Sequence, residues 1–258
     1  MKAITLLTDF GLKDPYVGVM KGVMLSINPD VCIIDITHEV EPQDVTEGCF
    51  LITESFPFFG KGSIHVCVVD PTVGSDRRAI VLEHDGHFFV GPDNGLFSFA
   101  IDKRSRVYRI ENKRYMLKDV SDTFHGRDIF APVAAHLSLG LDPSALGKKV
   151  DDPVLLPDLH PTIKGHTMTG KVVRLDRFGN VLSNISIDSF NRFVKGRSFH
   201  VRLHDMRFET VSRSYFEDPY TCVVGSSGKL EFGLFNGNLA QEKDIKKGDE
   251  ITVTLLNR

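Results

Sequence analysis

Three short runs in the first half of the chain, Ala3–Thr8, Val31–Thr37 and Ile64–Val69, are largely apolar along their length rather than alternating. A strand of that kind has no face to give to water, so it must be covered on both sides. Helical patterns separate the runs. In Tyr16–Ile27, Val17, Met20, Val23, Met24 and Ile27 share one face, and Val45–Phe56 is a second helix with Gly48 as its weak point. Strand, helix and strand in alternation predict an α/β domain with a largely parallel sheet. Each of the three runs is followed by a polar residue: Asp9, His38 and Asp70. Open parallel sheets bind ligands beyond the carboxyl ends of their strands, which gives those three positions a geometric meaning.

Further along, Ala79–His84 and His87–Val90 flank Asp85-Gly86, a hairpin signal. The stretch Gly91–Leu96 reads as a turn, with Asp93, Asn94 and Gly95 at its tip. Phe130–Leu139 reads as a helix capped by Asp128, with Pro132 tolerated in its first turn and Gly140 closing it. From Lys148 to Gly170 the texture changes, and Pro153, Pro157 and Pro161 break a polar stretch. Beyond it lie short alternating strands at Gly170–Leu175, Val181–Ile187, Phe199–Leu203, Thr221–Val224 and Ile251–Leu255. The expected organisation is an α/β domain over 1–150, a linker over 151–167 and a smaller all-β, barrel-like domain over 168–258.

Composition narrows the function classes. The 258 residues carry a net charge of −3, so no basic field points to nucleic acid. No apolar run reaches membrane-spanning length, and the N-terminus reads as a first strand rather than a signal peptide. Cys32, Cys49, Cys67 and Cys222 lie far apart with no CxxC pair, as expected of free thiols in the cytoplasm.

The motifs with chemical content are dispersed. "TDFGLKDPYVG" places Asp9 after a strand and Asp14 near a helix start. Such carboxylates serve equally as turn and cap residues or as acceptors for ligand hydroxyls. "VVDPTVGSDRR" lets Arg77 or Arg78 fold back toward Asp70 around a glycine turn. "DTFHGRD" crowds His125, Arg127 and Asp128 before an apolar run. A metal site from Asp9, His38, Asp70 and His125 is conceivable, but none of them shows a local ligand spacing such as HExxH. His38 and His136 otherwise read as satisfied structural histidines. No Walker or GxGxxG pattern is present. In the second half, "LDRFGNVLSNIS" sets Asp176, Phe178 and Asn180 around a tight turn. "VGSSGKLEFGLFNGNLA" is either a plain loop or a surface that approaches a flat heterocycle closely.

Taken in order, "TDFG…D.YVG..KG", "VVDPTVGSDRR", "FVGPDNGL", "TFHGRD.FAP.AA.L..G", "D.FGN..SNI" and "SSG.LE…N.GN" resemble the S-adenosylmethionine hydroxide adenosyltransferases, hydrolytic relatives of fluorinase and chlorinase. The resemblance runs from about Ile4 to Ala240. It implies hydrolysis of S-adenosylmethionine (SAM) to adenosine and L-methionine, without metal or cofactor. It also implies a homotrimer with active sites between subunits. On this chain the family's catalytic set falls on Asp70, Arg77 and His125, and its ribose carboxylate on Asp9. The methionine end maps to Asp14, Asp176, Ser226 and Ser227. Phe178, Asn180 and Tyr215 map to the adenine environment, with Leu234, Phe235 and Asn236 at the adenine edge. Thr72 stands where the family often has glycine, and the segment from Tyr215 to Ser226 is short.

The chemistry agrees. Methionine leaves a sulfonium as a neutral thioether, so no general acid is needed. The difficulty lies in the water, whose bulk pKa is ~15.7. His125 and Asp70 are the expected proton acceptors; Arg77 stays protonated and can only orient and stabilise charge. Halogenating relatives carry non-ionisable side chains at the positions of Asp70 and His125, and the fluorinase has an inserted loop. Water is therefore expected rather than halide. A non-catalytic SAM- or adenosine-binding protein is the alternative from another class.

Overall fold

The computed structural model describes residues 3–157 and 159–256. The chain divides into two compact units, 1–156 and 157–258.

The first unit is built on a six-stranded sheet of order β2-β1-β3-β5-β4-β6. Its strands are β1 (Ala3–Thr8), β2 (Cys32–Thr37), β3 (Ile64–Val68), β4 (Ala79–His84), β5 (His87–Pro92) and β6 (Arg106–Arg109). The first three and β5 run parallel, while β4 is antiparallel to both β5 and β6. The antiparallel part follows from the hairpin: Asp85 and Gly86 both take positive φ, as a two-residue turn demands. Three helices cover the sheet: α1 (Tyr16–Ile27), α2 (Val45–Ser55) and α3 (Ala131–Ser138). Ile4, Leu6, Val66 and Val68 pack in one core with Met20 and Met24 of α1 and Val133 and Leu137 of α3. Residues one step along β1, and just past β3, point the other way: Leu7 and Val69 meet α2 at Gly48. A β-carbon there would sit 2.8 Å from a Leu96 methyl, so the glycine marks a close helix–sheet approach.

The helix entrance before α3 differs from the expectation. Gly126–Phe130 forms a π turn, and Asp128 does not cap. Asp128 is fully buried, accepts the Ser121 N–H at 2.9 Å and pairs with the Arg127 guanidinium. It ties the 121–125 loop to the helix, a non-local duty that a cap-like spacing does not reveal. Asp14 caps nothing either; α1 starts at Tyr16, and the residue before it, Pro15, offers no side-chain cap.

The second unit is an antiparallel, barrel-like sheet of eight strands. Its order is β11-β10-β14-β8-β9-β13-β12, with β7 also on β8. The strands are β7 (Thr162–Lys164), β8 (Thr167–Leu175), β9 (Val181–Ser186), β10 (Phe199–Leu203), β11 (Met206–Phe208), β12 (Tyr220–Val224), β13 (Lys229–Leu234) and β14 (Glu250–Leu255). The curl comes from β8: residues 167–171 pair with β14, and 172–175 pair with β9 with a register shift between Val172 and Arg174. Such irregularities bend strands. Phe190 of α4 (Ile187–Val194), Phe232, Leu239 of α5 (Leu239–Glu242) and Val253 lie in its core. Helices α4 and α5 are short enough to have escaped the periodicity reading. Strand β13 lies inside the glycine-rich stretch read as loop or binding surface; Leu230 and Phe232 are its fully buried residues. Among the described residues no helix is long and apolar enough to cross a membrane.

Candidate active site

Beyond the carboxyl ends of β1 and β3 the first unit holds a cavity of about 760 Å³. Asp9, Asp70, His125 and Arg127 line it together with Phe10, Tyr16, Pro42, Gln43 and Phe124. Asp70 follows the buried end of β3. The turn after it brings Arg77 back, so that Arg77 Nε donates to Asp70 Oδ1 at 2.9 Å and Nη2 donates to Oδ2. Both side chains are almost wholly buried, at 7% and 5% exposure, which makes this a desolvated, bidentate pair rather than a surface contact. Arg78 goes elsewhere, to Asp93 and Asp152. Thr72 keeps a negative φ, so glycine is not required at that point of the turn. Gly74 is required: its φ is +80°, and a β-carbon would lie 2.3 Å from the Asp122 carbonyl oxygen. That close approach lays the 121–125 loop against the turn and brings His125 to Arg77.

Arg77 Nη2 lies 2.6 Å from His125 Nδ1. A guanidinium only donates, so Nδ1 accepts and the proton of the neutral ring sits on Nε2. Burial, then the charge of Arg77, pulls the His125 pKa below its usual value against the opposing pull of Asp70. The imidazole is therefore neutral at neutral pH and presents an N–H donor. Gly126 packs tightly: a β-carbon would be 3.2 Å from both Met20 Sδ and the Phe124 ring. Phe10, Tyr16 and Phe124 form an edge-to-face trio with centroids 5.2–5.8 Å apart, and Arg127 lies over Phe124 at 5.2 Å.

Asp9 Oδ2 accepts the backbone N–H of Gln43 at 2.8 Å. Gln43 holds a φ of +68°, a left-handed conformation uncommon for a residue with a side chain. Sequence reading missed Gln43, because a backbone donor on a strained turn leaves no side-chain signature. Its only trace was the polar stretch after β2. Asp14 is exposed and is not among the residues lining this cavity. His38 sits behind the site, at Thr8 and Asp35. Among the described residues no three His, Cys, Asp or Glu side chains are grouped to hold a metal ion.

The second unit has its own pocket of about 440 Å³, lined by Phe178, Asn180, Tyr215 and Leu234–Gly237. Asp176 organises its rim. Its Oδ1 accepts the N–H groups of Phe178 and Asn180, and its Oδ2 accepts from the Asn180 amide. Tyr215 donates its hydroxyl to Glu231 Oε1; burial and that carboxylate push the phenol pKa upward. Gly233 makes room, since a β-carbon there would be 2.5 Å from the Tyr215 ring and 2.9 Å from Asn180 Oδ1. Phe178 is 76% exposed and Phe235 50%, two aromatic faces open to a partner ring. Ser226 is exposed in the β12–β13 turn. Its neighbour Ser227 has a buried Oγ with no hydrogen-bond partner among the described residues.

Comparison with known proteins agrees with this division. Residues 4–147 match the model of the SAM hydroxide adenosyltransferase N-terminal domain, and residues 170–252 match that of the C-terminal domain. The chain is 36% identical to an (R)-S-adenosyl-L-methionine hydrolase of Methanocaldococcus jannaschii, over 97% of this chain and 95% of the relative. It is likewise 36% identical to one of Thermus thermophilus, over 96% and 98%. A fluorinase of Actinoplanes is more distant, at 25% identity over 97% of each chain. The solved structure of an uncharacterized conserved protein from Thermotoga maritima superposes with a TM-score of 0.88 at 36% identity, covering 97% of this chain and 99% of that one. With both domain models matched in order over most of its length, the chain belongs to the SAM hydroxide adenosyltransferase family.

Proposed function

We propose that this protein hydrolyses SAM by attack of water on C5′, releasing adenosine and L-methionine. The observation that carries the proposal is the buried Asp70–Arg77–His125 group opening into the cavity that also holds Asp9. As the water oxygen bonds to C5′, the C5′–S electron pair passes to sulfur, which becomes a neutral thioether. One proton is left over. Nδ1 of His125 is occupied by Arg77, so the ring serves as an Nε2–H donor that orients the water and stabilises developing hydroxide. The proton then goes to the Asp70 carboxylate, which differs from the sequence-based expectation that both residues accept. Arg77 holds the two in register. Asp9 accepts ribose hydroxyls beside the Gln43 N–H. The second-unit pocket takes adenine between Phe178 and Tyr215, with Asn180 reading its edge. Asp14, Asp176, Ser226 and Ser227 address the methionine end. No metal or cofactor enters these steps.

Ionisable Asp70 and His125 favour water over halide as nucleophile. The hydrolase relatives carry the (R) label in their names, and we extend the proposal to that sulfonium epimer. We further propose a cytoplasmic homotrimer in which the reacting cavity of one copy works with the aromatic pocket of a neighbour. The four cysteines are free thiols, as a reducing compartment requires. Incubation with SAM, followed by chromatography, should give adenosine and methionine in equal amounts with chelator present. Methylthioadenosine as product, or activity that vanishes with chelator, would overturn the mechanism. Light scattering should show a trimer whose dissociation abolishes activity; a fully active monomer would refute the assembly.

A further inference from the structure

A chain of polar groups, buried at Thr8 and His38 and open to solvent at Asp35 and Lys21, lies behind the cavity, and none of the roles above uses it. Thr8 ends β1, and its Oγ1 lies 2.9 Å from His38 Nδ1. The same oxygen accepts the Phe10 N–H at 3.2 Å. The His38 carbonyl accepts the Gly11 N–H at 2.8 Å. Both Thr8 and His38 are buried, at 1% and 4% exposure. On the far side of the ring, Nε2 makes no well-aligned hydrogen bond, and the acceptor within its reach is the Asp35 carboxylate, with Oδ1 3.2 Å away. Asp35 Oδ2 accepts from Lys21 Nζ at 2.6 Å. The β1–β2 register skips a residue between Leu6 and Leu7, opposite Ile36. Bulges of this kind re-aim side chains beside functional sites.

The protons in this chain can be assigned from chemistry. Burial works to raise the Asp35 pKa, but the Lys21 hydrogen bond and the adjacent His38 ring outweigh it and leave it lowered. An ionised carboxylate only accepts, so His38 Nε2 carries the proton. With that tautomer Nδ1 accepts, and the Thr8 hydroxyl donates to it. That leaves a Thr8 lone pair for the Phe10 N–H. The Thr8–Gly11 turn is thus tied down on both sides of Asp9.

We propose that His38 is a positioning residue for Asp9: the relay Lys21–Asp35–His38–Thr8 fixes the turn so that Asp9 meets the Gln43 N–H and presents its other oxygen to the ribose. This rests on the proposed role of Asp9, and the test separates the two. Steady-state kinetics with SAM are compared for Asp9→Asn, Thr8→Val, His38→Ala and His38→Asn. Thr8→Val and His38→Ala should raise KM about fivefold to tenfold, the worth of one net hydrogen bond or slightly more, with kcat nearly unchanged. His38→Asn, whose amide oxygen can accept from Thr8 in place of Nδ1, should recover part of the loss. A merely structural histidine would lower the active fraction and leave KM alone. Nitrogen-15 NMR of the unaltered protein should show His38 protonated at Nε2. If Asp9→Asn raises KM while Thr8→Val and His38→Ala do not, the relay proposal is wrong and the ribose role stands. If Asp9→Asn leaves KM unchanged, both fall. Should His38→Ala fail to fold, Thr8→Val and the tautomer decide, and an Nδ1-protonated ring overturns the relay.

Discussion

In the first unit the cavity is walled by a desolvated guanidinium–carboxylate–imidazole group, each member fixed by its neighbours. In the second unit the pocket is aromatic and amide-lined, with Phe178 and Phe235 exposed and the part-buried Tyr215–Glu231 hydrogen bond beside it. Charge held out of water is expensive unless paired, so such a cluster marks a place where charge has to be managed during reaction. Flat apolar faces bordered by hydrogen-bonding groups suit a neutral heterocycle, whose state does not change as C5′ reacts. Under the proposed function, the contrast gives chemistry to one unit and recognition to the other.

Substitutions that separate kcat from KM put that contrast at risk. The largest effect is expected at the ionic group. Asp70→Asn and His125→Ala should each lower kcat by about 10²–10⁴-fold with little change in affinity. The double variant should be little worse than either single one, because the groups act as a unit. Loss of affinity alone, measured by calorimetry beside turnover, would move these residues to the recognition side. In the second unit Gly233→Ala forces the Tyr215 ring and Asn180 aside, and Phe178→Ala removes an aromatic face. Both should raise KM by about tenfold and spare kcat, as expected for groups that hold ground and transition states equally. A kcat loss as large as that of Asp70→Asn would erase the distinction.

Acid sharpens the comparison further. His125 titrates below its usual value, so kcat/KM should stay flat through neutral pH and fall only on the acid side of about 6.5. Protonation there sets an imidazolium against Arg77. A profile that breaks above pH 7 through His125 would contradict the neutral Nε2–H ring. His65 gives a stability counterpart in the same unit. It is fully buried between Thr5 and His87, and burial pulls its pKa to about 3. For a histidine depressed in the folded state, the stability it leaves intact is complete above the unfolded pKa of about 6.5. It is lost as pH falls toward 3, at up to ~1.4 kcal/mol per pH unit. Urea midpoints measured from pH 7 to 4 should fall, and His65→Gln should flatten that slope. An unchanged slope would place the acid sensitivity elsewhere.

Much of this was legible in the sequence, for reasons that differ by element. Continuous apolar runs forced the sheet of the first unit, and the Asp-Gly pair forced its hairpin, because both signals are local. Asp9 and Asp70 were found because strand ends are where α/β sheets place ligands. Asp128 was misread because its spacing before α3 fits a cap, whereas its partners Ser121 and Arg127 depend on tertiary packing. Strand β13 was not foreseen because the small polar residues flanking it, at 225–228 and 236–238, read as loop or binding surface, although Lys229–Phe232 alternate polar and apolar and Leu230 and Phe232 keep the inward face. The backbone donor of Gln43 and the tautomer of His125 have no sequence signature; each follows from a contact across dozens of residues.

The central claim is that water, managed by the first unit, attacks C5′. Turnover of SAM in oxygen-18 water, with mass spectrometry of the products, tests it most directly. The account predicts the heavy oxygen in the 5′-hydroxyl of adenosine and none incorporated into methionine. Unlabelled adenosine, or label appearing on the amino-acid fragment, would contradict it.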